Sequence, residues 1–276
     1  MTRRSKSAEG RKVPKYHVRM AAAAIETLES FKCSSEALSL REIAPDASVS
    51  KPTVFRVLHT LTDLGYVNRD IDSGKYSLTL KVLEFAKYVS RANTFRLWAL
   101  PYMRRLMKQF DMIVNLAIKE GGSITYVEII TSATSQHVPP RVGATAMWHS
   151  TALGKAIASY TPETDVMATL DRTGMPSETR NTIVSKRAYM EELKRVRKQG
   201  FAEDNEEHKL GICCMATPIR EASGKAVGAI SVTSTPAQLS GLRKPEVGEA
   251  LRALGQDLSL RLAGNLALTR LVGRRL

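Results

Sequence analysis

The chain has 276 residues, enough for two domains, a small one and one of ordinary size, each burying its own core. Hydrophobic residues make up 43% and charged residues 25%, which excludes gross disorder, and no apolar run reaches the ~18 residues a bilayer span requires. The 41 Lys and Arg against 27 Asp and Glu leave a formal net charge of +14, a surplus that points to a polyanionic partner, nucleic acid ahead of membrane surface.

Residues 1–15 are polar and basic, with Arg3, Arg4, Lys6, Arg11, Lys12 and Lys15 against a single acid, Glu9. This arm reads as disordered when free, and either lies along phosphates or stays a solvated tail. From Arg19 the pattern turns helical, with Ala23, Ile25, Leu28 and Phe31 on one apolar face. A second short helix is signalled by Ser39 to Ala44, where Ser39 caps the start and Glu42 completes a capping box. A third follows Pro45-Asp46-Ala47-Ser48, with Ser50 as N-cap and Pro52 in the first turn, where its missing N–H does no harm. Val54, Val57, Leu58, Leu61 and Leu64 form its apolar stripe, and Gly65 ends it. Tyr66 to Arg69 and Tyr76 to Leu78 then flank the turn-forming Asp72-Ser73-Gly74-Lys75. Three helices followed by a small hairpin is the order of a winged helix-turn-helix, expected over residues 16–78.

A recognition helix needs an apolar face that docks it and a polar face that enters the major groove. Lys51, Thr53, Phe55, Arg56, His59 and Thr60 fall on the polar side of the third helix. The hydroxyls of Ser50 and Thr53 suit phosphate oxygens, and Arg56 suits a guanine edge or a phosphate. Ser39 and Arg41 in the second helix, Lys51 and His59 in the third, and Arg69 and Lys75 in the wing complete the candidate DNA-binding set. Each residue alone would also suit an ordinary exposed helix face; the ordered set points to duplex DNA.

Residues 79–97 read as a linker helix carrying Leu80, Leu83, Phe85, Tyr88 and Val89, and Pro101 as the start of another helix through Phe110. Beyond it, strands are expected at Ile113–Ile118, Ile124–Ile130, Cys214–Ile219 and Val227–Thr233, with Gly121-Gly122 turning the first pair. Helices are expected at Thr151–Ser159, Pro162–Asp171, Lys186–Gln199 and Pro245–Gly264. The overall class is α+β: a winged helix-turn-helix, a linker helix, an α/β domain over 98–266 and a basic tail over 267–276. Three cysteines, Cys33, Cys213 and Cys214, make no disulfide framework, which suits a reducing compartment, and no apolar signal core follows the N-terminus, so a cytoplasmic location is expected.

Several segments in sequence order resemble the IclR-type regulator family. They are Leu40-Arg-Glu-Ile-Ala44, Val49-Ser-Lys-Pro-Thr-Val-Phe-Arg-Val-Leu58 and Leu61-Thr-Asp-Leu-Gly-Tyr-Val67. Further on come Trp148-His-Ser-Thr-Ala-Leu-Gly-Lys-Ala156, the run from Arg197 to Glu207, Gly211 to Ile219, and Gly228 to Val232. The resemblance spans about residues 18–265. It implies a GAF-like effector domain, a homodimer or dimer of dimers on palindromic double-stranded DNA, and control of catabolic genes by a small metabolite, a carboxylate or aromatic acid. It carries an effector pocket over to Ala152, Leu153, Asp204, Cys214, Ser231 and Thr233. Three positions depart from the family pattern: Ser48 where the turn usually has glycine, Pro52 for a common serine, and Asp111 where glycine is usual after the first effector-domain helix.

Ser231 and Thr233 lie two apart in a strand and so face one side; with the N–H groups at Ala152-Leu153 they suit a carboxylate, while Asp204 suits a hydroxyl or other donor. Cys214 reads as a small buried hydrophobe, with a thiol-based redox sensor or enzyme at Cys213 and Cys214 as the alternative. Glu206-Glu207 reads as a solvated loop edge. No spacing of His149, His208 and the cysteines resembles a zinc site, and no P-loop, dinucleotide fingerprint or nucleophile elbow occurs, so neither cofactor, metal nor enzymatic activity is expected.

Overall fold

The computed structural model describes residues 18–33, 37–88, 90–131, 139–241 and 243–264. The expected basic arm (1–15), the tail (267–276) and the side chains of Cys33, Tyr88 and Val89 lie outside them. The chain divides into two units, residues 1–89 and 90–276.

In the first unit, helices α1 (Arg19–Glu29), α2 (Leu40–Ile43) and α3 (Lys51–Asp63) precede a hairpin of β1 (Val67–Arg69) and β2 (Tyr76–Leu78). Ala23, Phe31, Ile43, Val54, Leu58, Val67 and Tyr76 make its core. Each large apolar side chain removed from water there stabilises by roughly 1.5–3 kcal/mol. The buried face of α1 runs through Ala23 and Thr27, whose Oγ1 donates to the Ala23 carbonyl at 2.7 Å, whereas Ile25 points outward at 58% exposure. Leu64, expected in the stripe of α3, is likewise exposed. The Glu42 carboxylate accepts the Ser39 N–H at 2.8 Å, the return bond of a capping box, and also the Ser39 hydroxyl at 2.7 Å. At the end of α3 Gly65 takes a φ of +77°, and the N–H groups of Gly65 and Tyr66 reach the carbonyls of Thr62 and Leu61, both at 2.9 Å. This is a Schellman cap, which an L-side chain at Gly65 would strain.

Over the span read as a linker helix, 79–97, the described residues form a 3-10 turn at Leu80–Val82, α4 (Leu83–Tyr88) and the start of α5 (Ser90–Phe110), so helix begins later than expected. Pro101 does not open a helix but sits inside α5. The buried row Phe95, Ala99, Met103, Leu106 and Phe110 continues unbroken past it, and Pro101 lies on the exposed side, where water can take the carbonyl its ring leaves unpaired. Asp111 follows with φ +55°, so the position that departs from glycine does adopt the left-handed conformation.

The second unit centres on an antiparallel five-stranded sheet ordered β4-β3-β7-β6-β5. Its strands are β3 (Ile113–Glu120), β4 (Ser123–Ile130), β5 (Ala202–Asn205), β6 (Cys213–Arg220) and β7 (Ala226–Ser234); the short edge strand β5 was not anticipated as an element. Helices α6 (Ala152–Ala158), α7 (Glu163–Thr173) and α8 (Lys186–Gln199) contribute to a core on one face, while α5 and α9 (Arg243–Gly264) cover the other. Period-two alternation sends Val114, Leu116, Met215, Ile230 and Val232 toward α5 and α9, and Asn115, Ala117, Cys214, Ala216, Ser231 and Thr233 toward α6.

Helix α6 fits against its preceding loop only because residue 154 is glycine. A Cβ there would stand 2.2 Å from the Met147 carbonyl oxygen and 2.5 Å from that of Trp148. Gly154→Ala is therefore expected to destabilise the second unit by about 2 kcal/mol or more, read as a lower urea midpoint by tryptophan fluorescence.

Candidate functional site

The polar face of α3 is displayed as its sequence pattern requires. Lys51, Phe55, Arg56 and His59 are exposed on α3, Arg41 on α2, and Arg69 and Lys75 on the hairpin. Several side chains are already engaged. The Ser50 and Thr53 hydroxyls lie 3.0 Å apart in mutual hydrogen bonding, His59 Nδ1 is 3.0 Å from Asp63 Oδ2, and Ser39 is committed to Glu42. Arg69 rests over the Tyr76 ring at 5.7 Å, which orients it without neutralising it. Ser48 is not strained: it has no positive φ, and its N–H and hydroxyl donate to Glu26 Oε2 at 2.8 and 2.6 Å. A glycine would keep the N–H bond, and the serine hydroxyl adds a second tie to α1.

In the second unit the six expected pocket residues gather on the α6 side of the sheet. Register places Asp204, Cys214 and Thr233 in one row across β5, β6 and β7, and Ala216, Ser231 and Asn115 in a row two residues along. Ala152 and Leu153 open α6 above them, both buried. Cys214 and Thr233 keep partial exposure although they face the covered side of central strands, which marks open space between sheet and helix. Cys214 Sγ lies 3.2 Å from Thr233 Oγ1.

Asn115 was missed from sequence. Its Nδ2 donates to both Ser231 Oγ and Thr233 Oγ1 at 3.1 Å, while its Oδ1 is buried without a partner. An asparagine in an otherwise apolar buried strand is the signal that could have found it. The start of α6 offers less than expected: the helix has seven residues, and the Gly154 N–H is already taken by Thr151 Oγ1 at 3.0 Å.

Asp204 is 2% exposed and its Oδ1 accepts the N–H groups of Glu207 (2.7 Å) and His208 (3.3 Å), so it also builds the turn after β5. Burial pushes its carboxyl up to about 7, against those N–H bonds and the nearby Lys155, which pull it down. Glu207 is not a solvated loop edge. It is buried, and its Oε1 accepts from Lys155 Nζ, itself fully buried, at 2.6 Å, with Glu192 3.6 Å away. Burial and the neighbouring Asp204 push both Cys213 and Cys214 up, so neither is poised as a thiolate. His149 Nε2 lies 2.9 Å from the Pro176 carbonyl, and His208 Nδ1 is 3.4 Å from Ser150 Oγ. A groove of about 640 Å³ lies at the other end of α6, between Tyr160, Arg197 and Arg220, and none of the six pocket residues lines it.

A winged helix-turn-helix with a basic reading face, carried by a chain whose second unit presents hydroxyls and an amide on the floor of a half-covered sheet, defines a DNA-binding regulator with an effector domain. The bacterial transcriptional regulator IclR C-terminal family model matches residues 86–260, and the IclR helix-turn-helix domain model matches residues 24–70. The chain is 30% identical over 226 residues to the HTH-type transcriptional regulator KdgR of Escherichia coli K12, covering 82% of this chain and 86% of that protein. The crystal structure of Thermotoga maritima IclR superposes with a TM-score of 0.75 at 27% identity, over 89% of this chain and 99% of that one. An IclR homologue from Microbacterium hydrocarbonoxydans, crystallised with 4-hydroxybenzoate, shares the fold at a TM-score of 0.77 and 23% identity, over 88% and 98% of the two chains. The protein belongs to the IclR family of transcriptional regulators, a family that is not enzymatic.

A buried ion pair broken on one side leaves an uncompensated charge, so Lys155→Met is expected to cost about 3–5 kcal/mol in urea unfolding. The double variant Lys155→Met/Glu207→Leu should recover most of that loss.

Proposed function

We propose that the protein binds a palindromic operator as a homodimer and that a small carboxylate or aromatic acid, held against Ser231 and Thr233, changes its affinity for that DNA and thereby controls a catabolic operon. The observation that carries the ligand half is the pair of hydroxyls on the open sheet face, hydrogen-bonded to one amide. Hydroxyls that already accept a bond from Asn115 retain their own hydrogens for a carboxylate. The 4-hydroxybenzoate bound by the Microbacterium homologue is an acid of this kind. Ala152, Leu153 and Cys214 supply the apolar wall, and Asp204 the polar end opposite. The DNA half rests on Lys51, Arg56 and His59 on the recognition helix, Thr53 and Ser50 at its start, Ser39 and Arg41 beside it, and Arg69 and Lys75 on the wing. Two such helices in a dimer address half-sites one helical turn apart or a multiple of it. The reading places the protein in the cytoplasm with its DNA. The described helices include none long and apolar enough to cross a membrane.

Fluorescence anisotropy with DNA from upstream of its own and neighbouring operons tests this reading. Affinity should fall steeply with salt, and Arg56→Ala should weaken specific binding by about 1–3 kcal/mol. Equal affinity for random DNA at all salt concentrations would sink the operator claim. A panel of acids should shift that affinity in the parent protein, and Ser231→Ala should raise the concentration of acid required.

The ligand half also has a pH signature. Below about 7 Asp204 is protonated and neutral in the folded protein, so it does not repel a bound carboxylate. Calorimetry should therefore show acid affinity rising as pH falls from 8 to 6, with the rise abolished in Asp204→Asn.

A further inference from the structure

We infer that Asn115 fixes the hydrogen-bond polarity of the effector site, so that the site selects a carboxylate bearing a neighbouring hydroxyl over the same acid without it. The inference rests on the reading that this face of the sheet holds the effector.

Asn115 lies mid-strand in β3, directly paired with Ser231 of β7 and with Ile129 of β4. It is 2% exposed, and Ser231 is equally buried. Both hydrogens of its Nδ2 are spent, one on each hydroxyl of Ser231 and Thr233. The two hydroxyls are thereby acceptors toward Asn115, and their hydrogens must point elsewhere. The Thr233 hydroxyl lies against Cys214 Sγ at 3.2 Å. The Ser231 hydroxyl makes no second hydrogen bond among the described residues and remains a donor. Beside it the Asn115 Oδ1 is a buried acceptor with no donor.

One free donor and one orphaned acceptor thus stand side by side on the floor of the site. A buried acceptor left unpaired is costly, and no described side chain is hydrogen-bonded to it. Asp204 and Cys214 occupy the adjoining row, and burial holds both toward their protonated forms. Tyr126, in the same apolar cluster as Cys214, is also kept protonated by burial. None of the three is hydrogen-bonded to Asn115 Oδ1. No described residue supplies the missing donor, and a ligand hydroxyl would. A ligand that meets both demands presents an oxygen to Ser231 and an O–H to Asn115, as a carboxylate with an adjacent hydroxyl does. Sites built to bond a ligand hydroxyl discriminate strongly against the analogue that lacks it, because the site's own group is then left unpaired.

Matched acids that differ by one hydroxyl provide the test: glycolate against acetate, lactate against propionate, and mandelate against phenylacetate, each titrated by calorimetry into the full-length protein. In at least one pair the hydroxylated member should bind about tenfold tighter or better. Asn115→Leu, close in shape and unable to accept, should bring that ratio to about one. Ser231→Ala should weaken both members and leave the ratio in place. Circular dichroism and the thermal midpoint confirm that each variant is folded. Equal binding of both members by the parent protein overturns the role of Asn115 while the effector reading stands, since a water then satisfies Oδ1. Binding of no acid in any pair overturns the effector reading and this inference with it. A ratio that survives Asn115→Leu assigns the hydroxyl to another group and overturns the inference alone.

Discussion

The second unit is organised around a charge that has no access to water. Lys155 is fully buried in α6, among alanines, Leu153 and Ile157, and an isolated ammonium there would be prohibitively expensive. Its partner Glu207 comes from the turn between β5 and β6, and Glu192 from α8 stands behind it. The turn is in turn held from several sides. Asp204 accepts the Glu207 N–H, and the Thr182 hydroxyl donates to the Glu207 carbonyl at 2.6 Å. One ion pair therefore joins α6, α8 and the β5–β6 turn, and with them the wall and the polar end of the proposed effector site. Pairs of this kind add little net stability over an apolar substitute, and their value lies in specifying one arrangement. Here the arrangement specified is the position of α6 over the sheet.

The sheet itself divides two tasks by the alternation of its side chains. One face is mainly apolar and packs on α5 and α9, with Thr217 a buried polar exception against Gly255; the other carries small and polar residues where it meets the start of α6. Asn115 and Ser231 would be costly among the apolar side chains of the first face. On the second face they bond one another, and Asn115 Oδ1 is left buried without a partner among the described residues.

The sequence carried much of this and concealed specific parts. Apolar runs and periodicity located four of the five strands of the sheet to within two residues at each end, and helix α8 to the residue. It did not locate β5, whose four residues Ala202–Asn205 alternate too briefly to register. Pro101 misled because proline so often opens a helix; only the buried row from Phe95 to Phe110 shows that the helix continues. Glu207 was read as solvent-facing because its partner Lys155 is 52 residues away, and no local spacing links them. Asn115 was passed over for the same reason: its hydroxyl partners lie 116 and 118 residues on. Local caps, such as Ser39 with Glu42 and Gly65 after α3, were legible because every atom involved lies within a few residues.

In the first unit, the same kind of reasoning identifies the body that must move if DNA affinity is to change. The Schellman cap ends α3, and two side chains from the chain beyond the wing then fasten that end. Thr79 Oγ1 donates to the Gly65 carbonyl at 2.6 Å, and Lys81 Nζ to the Leu64 carbonyl at 2.8 Å while resting over the Tyr66 ring at 4.8 Å. Tyr66 in turn stacks on Phe85 of α4, with centroids 5.6 Å apart. A lysine at the last carbonyls of a helix also complements its dipole, which strengthens the contact. Recognition helix, wing and α4 are thus clamped at one point. A displacement of α4 must carry α3 with it or break these bonds. Under the proposed function, a ligand that favours one setting of α4 over another would act on the orientation of Arg56 and Lys51, to the extent of its differential affinity for the two settings and no further.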